Sequence, residues 1–411
     1  MSADRNILRG LAAEVAEVAA QPVQRERIRL WTKLNGLRPE RPMLWITEIP
    51  WGEFEDKVDA LRPVCRDPEL RRVEAGLRRT LFTARHLPCD EVVSPVYRVD
   101  KVLRDADYGV ETREQQIRQG DSYIVSHHYE PVIKEPADIA KILMPRVVHD
   151  EAATRERVAF FDGLFGDILP IETFGVQQHI FNAWDMLVRW TGVTEALVDL
   201  VERPEFIHAI MRRMTDSMLA RMTQLEALGL LSDTRSVVRV GSGAAGWTDE
   251  LPRPGADPAH LTTMDQWGMA TPQIFSDVSP EMHEEFALAY ENEVLSRCGL
   301  NYYGCCEPVH NKMGLMAKVP RLRKISISPW CRVAQARDLA ARRYVFSHKP
   351  SPAILAEDRF NVERAESDLR RRLNESGEMP CEFIMKDIST VRGDVHRLIA
   401  WCEMAWRVVN G

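Results

Sequence analysis

The chain has 411 residues, of which 45% are apolar and 28% charged, with a formal net charge of −7. That is the make-up of a soluble globular protein able to bury a large core. Acids and bases are interleaved with no basic run or basic–aromatic patch, which argues against a nucleic-acid partner.

The first forty residues are amphipathic and charged throughout. They lack the basic-then-apolar layout of a secretory signal, and no apolar run approaches the ~18–20 residues of a membrane span. A cytoplasmic protein without a membrane partner is expected. The eight cysteines are too sparse for a disulfide scaffold and show no CxxC pair, in keeping with a reducing compartment.

Short runs rich in Val, Ile, Tyr and Phe predict strands at 41–48, 90–98, 167–173, 236–241, 300–306, 322–328, 343–348 and 381–387. Helical patterns fall between them, at 150–166, 203–231, 279–299 and in two C-terminal stretches. The 279–299 helix opens Ser-Pro-Glu, which supplies a cap, a proline at the first position and an early acid. Eight strands alternating with helices predict an α/β fold, a (β/α)8 TIM barrel over 41–411 with an N-terminal helical extension over 1–40. An open doubly wound sheet is the runner-up. The stretch 242–278 is too long for an ordinary connection and reads as a lid or binding loop.

In such a barrel the chemistry gathers where strands end. Those ends carry Glu48, Trp51 and Glu53, then Glu172, then Tyr303, Cys305, Cys306, Glu307 and His310. Later ends carry Ser326, Ser328, Trp330, His348, Lys349, Lys386 and Asp387. Cys305 and Cys306 with Glu307 offer sulfur and oxygen donors of the kind zinc accepts. They read equally as one core and one lumen cysteine without metal. Trp51, Trp247, Trp267 and Trp330, in predicted loops, suggest an apolar wall around a flat ligand. Glu48, Glu172 and Asp387 suit ligand, proton-donor or substrate-binding roles, or ion pairs with Arg98, Lys349 or Lys386. His127 and His128 read as surface residues.

The order of motifs resembles the uroporphyrinogen decarboxylase (URO-D) superfamily, which includes cobalamin-dependent methyltransferases. The similar segments are "YEPVIKEPADIAKILMPRVVHDEAATRERVAFFDGLFGDILPIETFG", "ALVDLVERPEFIHAIMRRMTDSMLARMTQLEALG", "SDVSPEMHEEFALAYENEV" and "ISISPWCRVAQARDLAARRYVFSHKPSP", spread over most of 90–411. The resemblance implies a (β/α)8 barrel. The Arg-Gln-Ala-Gly-Arg-Tyr motif of true decarboxylases is replaced here by "TEIPWGE", and their Gly-His-Gly by "MKDIST". An acidic mouth suits a polycarboxylate poorly, so the resemblance is nearer the methyltransferase branch. That branch binds zinc through His-x-Cys and a late Cys. Here Cys305 matches the first cysteine, Tyr303 stands in the histidine place, and Asp387 lies near the late cysteine.

The resemblance therefore implies methyl transfer between a small methylated substrate and a corrinoid protein, assisted by zinc at Cys305 or Cys306 with Glu307 and Asp387, in a homodimer. Glu48, Glu172, Tyr303, Lys349 and Lys386 are the catalytic candidates. Trp51, Trp267 and Trp330 are the cofactor-wall candidates. The alternative is a cofactor-free decarboxylase, with Lys349, Lys386 or Arg98 holding a carboxylate and an acid such as Asp387 supplying a proton.

Overall fold

A computed structural model describes residues 3–104, 107–118, 125–234 and 239–411. The chain forms two compact units, one of residues 1–102, 151–174 and 349–411, the other of 103–150 and 175–348.

The first unit holds two parallel strand pairs. Met43–Ile46 lies against Cys381–Met385, with Ile46 opposite Met385. Tyr97–Asp100 lies against Ile171–Phe174, with Arg98 opposite Glu172. Two helices, Ala3–Ala19 and Pro22–Asn35, begin this unit. The first presents Leu8, Leu11, Ala12 and Val15 at helical spacing to Val73, Leu77 and Leu81 of the Pro68–His86 helix. That helix starts cleanly because Pro68 follows Asp67, whose carboxylate accepts from the Glu69 and Leu70 amides.

The second unit is built on five parallel strands in chain order: Gln178–Phe181, Trp267–Ala270, Leu300–Tyr303, Leu322–Ile327 and Val345–His348. Trp184, Ile207, Met211, Met214, Phe286 and Val294 belong to its largest apolar cluster. Trp267, Met269, Leu300 and Tyr302 pack instead on Val240, Ala244 and Leu251. Alternation along Leu300–Tyr303 therefore turns Asn301 and Tyr303 the other way. Asn301 accordingly donates to the Leu295 carbonyl at the end of a helix, at 3.0 Å. A hairpin, Arg113–Arg118 with Val125–Glu130, carries the exposed His127 and His128.

The parallel α/β pattern agrees with the sequence, but neither unit closes a ring of strands by itself. Two assignments change. Of the predicted strand at 236–241, residues 236–238 lie outside the described ones, and Arg239–Val240 pairs only with Ala244–Ala245 in a short antiparallel hairpin. The sheet strand is Trp267–Ala270, inside the stretch read as a lid. Its four residues, WGMA, are too few to stand out as an apolar run. The predicted strand at 90–98 begins only at Tyr97, because Asp90 is occupied by Arg41 and the Leu44 amide. Among the described residues no helix is long and apolar enough to cross a membrane.

Candidate functional site

Tyr303, the last residue of its strand, points toward the helical segment 280–295. That segment begins with Ser279 capping the Met282 amide and Pro280 in the first turn. It runs as α-helix over Pro280–His283, widens to a π-turn over Glu284–Leu288, and returns to α-helix over Ala289–Leu295. His283 and Glu291 are eight positions apart. In an unbroken α-helix their directions would differ by roughly 80°. The extra residue of the π-turn brings that to about 20°. Both side chains consequently meet one hydroxyl: Tyr303 Oη donates to Glu291 Oε2 at 2.6 Å and lies 2.6 Å from His283 Nε2.

All three groups are buried, Tyr303 and His283 completely. Burial pushes the Glu291 carboxyl up to about 8. It also drives the Tyr303 phenol well above its usual range, with the Glu291 and Glu307 charges adding to the effect. The His283 imidazole is pushed down to about 3 by burial and by the nearby Lys312 ammonium. At neutral pH the trio is thus held uncharged: a carboxylic acid, a phenol and a neutral imidazole. With Tyr303 donating to Glu291, His283 Nε2 must donate to Tyr303. That leaves Nδ1 as a buried acceptor, and no partner is seen for it.

Beyond the strand, Gly304 adopts φ +89°, a left-handed conformation that costs glycine little. The turn sends the Cys305 amide to Glu307 Oε2 at 3.0 Å. Thr271, just past the neighbouring strand, donates to the same carboxylate at 3.1 Å. Glu307 is fully buried, and burial lifts it to about 7 despite these donors. Ser326 Oγ fixes the Cys305 carbonyl at 2.7 Å, and Ser242 Oγ lies 3.1 Å from the Cys305 thiol. The Cys306 thiol, exposed, is 3.5 Å from that of Cys305. Lys312 is buried and donates to the Phe275 carbonyl; burial lowers its pKa, opposed by Glu307 and Asp277. The loop thus holds, through the Cys305 amide, a carboxyl that burial pushes up toward neutrality, the range general acid–base chemistry favours.

Of the residues singled out from the sequence, Tyr303, Cys305, Cys306 and Glu307 come together here. In the first unit, Glu48, Lys386 and Asp387 come together at the ends of the paired strands 43–46 and 381–385. Lys386 Nζ is 3.1 Å from Asp387 Oδ2 and 3.8 Å from Glu48 Oε2, and the Asp387 amide donates to Glu48 at 3.0 Å. Glu48 and Asp387 both take positive φ, +54° and +55°. Burial and the Glu48 carboxyl raise the pKa of Asp387, while Lys386 opposes them. Glu172 is an exposed strand residue, and Lys349 is buried directly after the Val345–His348 strand.

The tryptophan wall is corrected. Trp267 is not in a loop but fully buried in a sheet strand, with its indole donating to the Gly246 carbonyl. Trp51 opens the Trp51–Lys57 helix and packs edge-on to Phe54 and Phe82 beneath the Arg79 guanidinium. Trp330 is exposed. The zinc set is not assembled either: among the described residues no three His, Cys, Asp or Glu side chains gather as a metal shell. Glu307 is turned to Thr271 and the Cys305 amide, which explains why it does not join the two thiols as a ligand.

Sequence reasoning missed His283, Glu291, Thr271 and Ser242. An eight-residue spacing matches no α-helical period, so only the π-turn reveals the first two as neighbours.

No protein-family model matches the chain, and no curated protein matches it. Among solved structures, it is similar to a methyltransferase from Methanosarcina mazei, over 92% of this chain and 97% of that one, with a TM-score of 0.51 and 12% identity. At that identity the likeness is one of fold.

Proposed function

We propose that the protein is a methyltransferase that moves a methyl group between a small methylated substrate and a corrinoid carried by a partner protein. The observation that carries this reading is a buried Glu307 carboxyl, pushed up to about 7 by burial and held by the Cys305 amide in the loop that bears the two thiols. The likeness in fold to a methyltransferase supports it. So does the resemblance of the motifs to the URO-D superfamily, and a (β/α)8 frame and a homodimer belong to the same reading.

The corrinoid would accept the methyl in one direction and donate it in the other. When the methyl leaves a substrate heteroatom, the heteroatom keeps the bonding electron pair and must gain a proton. Glu307, whose carboxyl burial pushes up to about 7, would provide it and be left as the carboxylate. Thr271 and the Cys305 amide keep that carboxyl fixed through the exchange. No step is routed through zinc, because the side chains do not form a shell for it.

The carboxy-lyase alternative requires a free base for a substrate carboxylate. Of the bases named for it, Lys386 is already held by Asp387 and Glu48, and Arg98 is paired with Asp100.

The test is incubation of the purified protein with methylcobalamin and a panel of small thiols and phenols, following the cobalamin spectrum and the methylated product. Demethylation is expected, slowed at least tenfold in Glu307→Gln and in Cys305→Ser. Absence of transfer to every acceptor, with carbon dioxide released from a carboxylate panel instead, would overturn the proposal.

A further inference from the structure

Cys305 and Cys306 raise a question that methyl transfer does not answer. One thiol would serve beside Glu307, yet the loop presents two, and the second is exposed. Their sulfurs are 3.5 Å apart. A disulfide requires an S–S distance of about 2.05 Å and Cα atoms usually 4.4–6.8 Å apart. Neighbouring residues on a trans peptide hold their Cα atoms at about 3.8 Å, below that range. Direct oxidation to a bond between them is therefore disfavoured by the backbone itself.

Bridging by a third atom suits the observed spacing better. With sulfur–ligand bonds of about 2.3 Å, a 3.5 Å separation corresponds to an angle of about 100° at the bridging atom. That is tighter than the tetrahedral angle of a structural zinc and close to the angle at a pyramidal, trivalent centre bearing a lone pair. The surroundings point the same way. A tetrahedral metal needs two further ligands, and among the described residues no set of three His, Cys, Asp or Glu side chains gathers. A trivalent centre bonded to two sulfurs brings its third substituent with it and asks for no further protein ligand. The exposed Cys306 gives the entry side, and the nearly buried Cys305 gives an anchor fixed through its amide, its carbonyl and the neighbouring Ser242 hydroxyl.

We infer that Cys305 and Cys306 form a vicinal dithiol site for a trivalent thiophilic metalloid, of which monosubstituted arsenic(III) is the representative. Binding is a condensation. Two S–H bonds and the As=O bond break, two As–S bonds form, and one water leaves with both protons. The arsenic stays trivalent throughout, so no oxidant or reductant enters. The inference is independent of methyl transfer, since it rests on the two sulfurs and their spacing.

The experiment is calorimetric titration of the reduced full-length protein with phenylarsine oxide. One equivalent is expected to bind. It should be released by a 1,2-dithiol and retained against an equal concentration of a monothiol. Cys306→Ser alters only an exposed side chain and keeps the fold. It should weaken binding by about a hundredfold, the low end of what joining two contacts on one frame contributes. Cys331→Ser should bind like the parent. The inference fails if the parent does not bind, if Cys306→Ser binds as tightly, if Cys331→Ser loses binding, or if zinc competes equally for the site.

Discussion

Glu291→Gln isolates the electrostatics of the buried trio with little change in shape. The folded protein holds the Glu291 proton up to about pH 8, whereas the ordinary carboxyl value is 4.5. A group whose folded pKa is raised contributes stability that is fully present below its unfolded pKa and is lost as pH rises through the folded one. For Glu291 the loss runs from about pH 4.5 to about pH 8. His283 works in the opposite sense, because its pKa falls to about 3, so its contribution grows between pH 3 and 6.5 and is constant above. The window from pH 6.5 to 8 therefore separates the two. Across those 1.5 units Glu291 removes about 2 kcal/mol, at about 1.36 kcal/mol per unit. Glu307, whose carboxyl is pushed up to about 7, adds about 0.7 kcal/mol. Urea unfolding at pH 6.5 and 8 should show the parent losing stability over this interval and Glu291→Gln losing about 2 kcal/mol less. An identical loss in both proteins would mean that Glu291 is ionised in the native state, and the neutral trio would be refuted.

Tyr303→Phe keeps the ring but strips the partner from His283 and Glu291, and should cost about 2–4 kcal/mol in urea unfolding; a loss under 1 kcal/mol contradicts the shared hydroxyl. Gly304→Ala meets only ordinary contacts, the nearest at 3.4 Å. Its penalty is the left-handed backbone, about 1–2 kcal/mol, and thermal melting should reveal it together with a loss of transfer activity, because the turn sets the Cys305 amide. Glu53 Oε2 accepts from the Val391 and Gly393 amides at 3.0 and 2.8 Å. Glu53→Ala orphans both and should destabilise the protein by about 2–4 kcal/mol; an unchanged unfolding midpoint would show that the 391–393 loop is held by other contacts.

Much of this architecture is written in local pattern. The strands Leu300–Tyr303, Leu322–Ile327 and Cys381–Met385 are apolar runs with β-formers, and periodicity finds them directly. That Cys305 and Glu307 lie just past the end of a sheet strand was legible from the run that precedes them. Trp267–Ala270 was hidden because a short strand carrying glycine, set among polar and proline-rich neighbours, has the composition of a loop. Hydrogen bonds along both edges, to Gln178–Phe181 and Leu300–Tyr303, make it a strand. No local pattern contains those partners. The tryptophans misled for a related reason: an aromatic residue between Gly and Pro residues looks exposed until its packing partners are known.

The π-turn explains the deepest gap between sequence and site. An α-helix repeats faces at three and four residues, so a partnership at eight has no signature in it. Opening one turn costs hydrogen-bond geometry, and such turns persist where something compensates. Here the compensation is visible: His283 before the turn and Glu291 after it converge on one tyrosine that no regular helix could have served from both positions. Closing the same residues into a regular α-helix, with none removed, would return the His283 and Glu291 directions to roughly 80° apart. It would leave a buried carboxyl beside no hydroxyl, the arrangement most costly to keep. The distortion and the buried trio are therefore one feature, and each accounts for the persistence of the other.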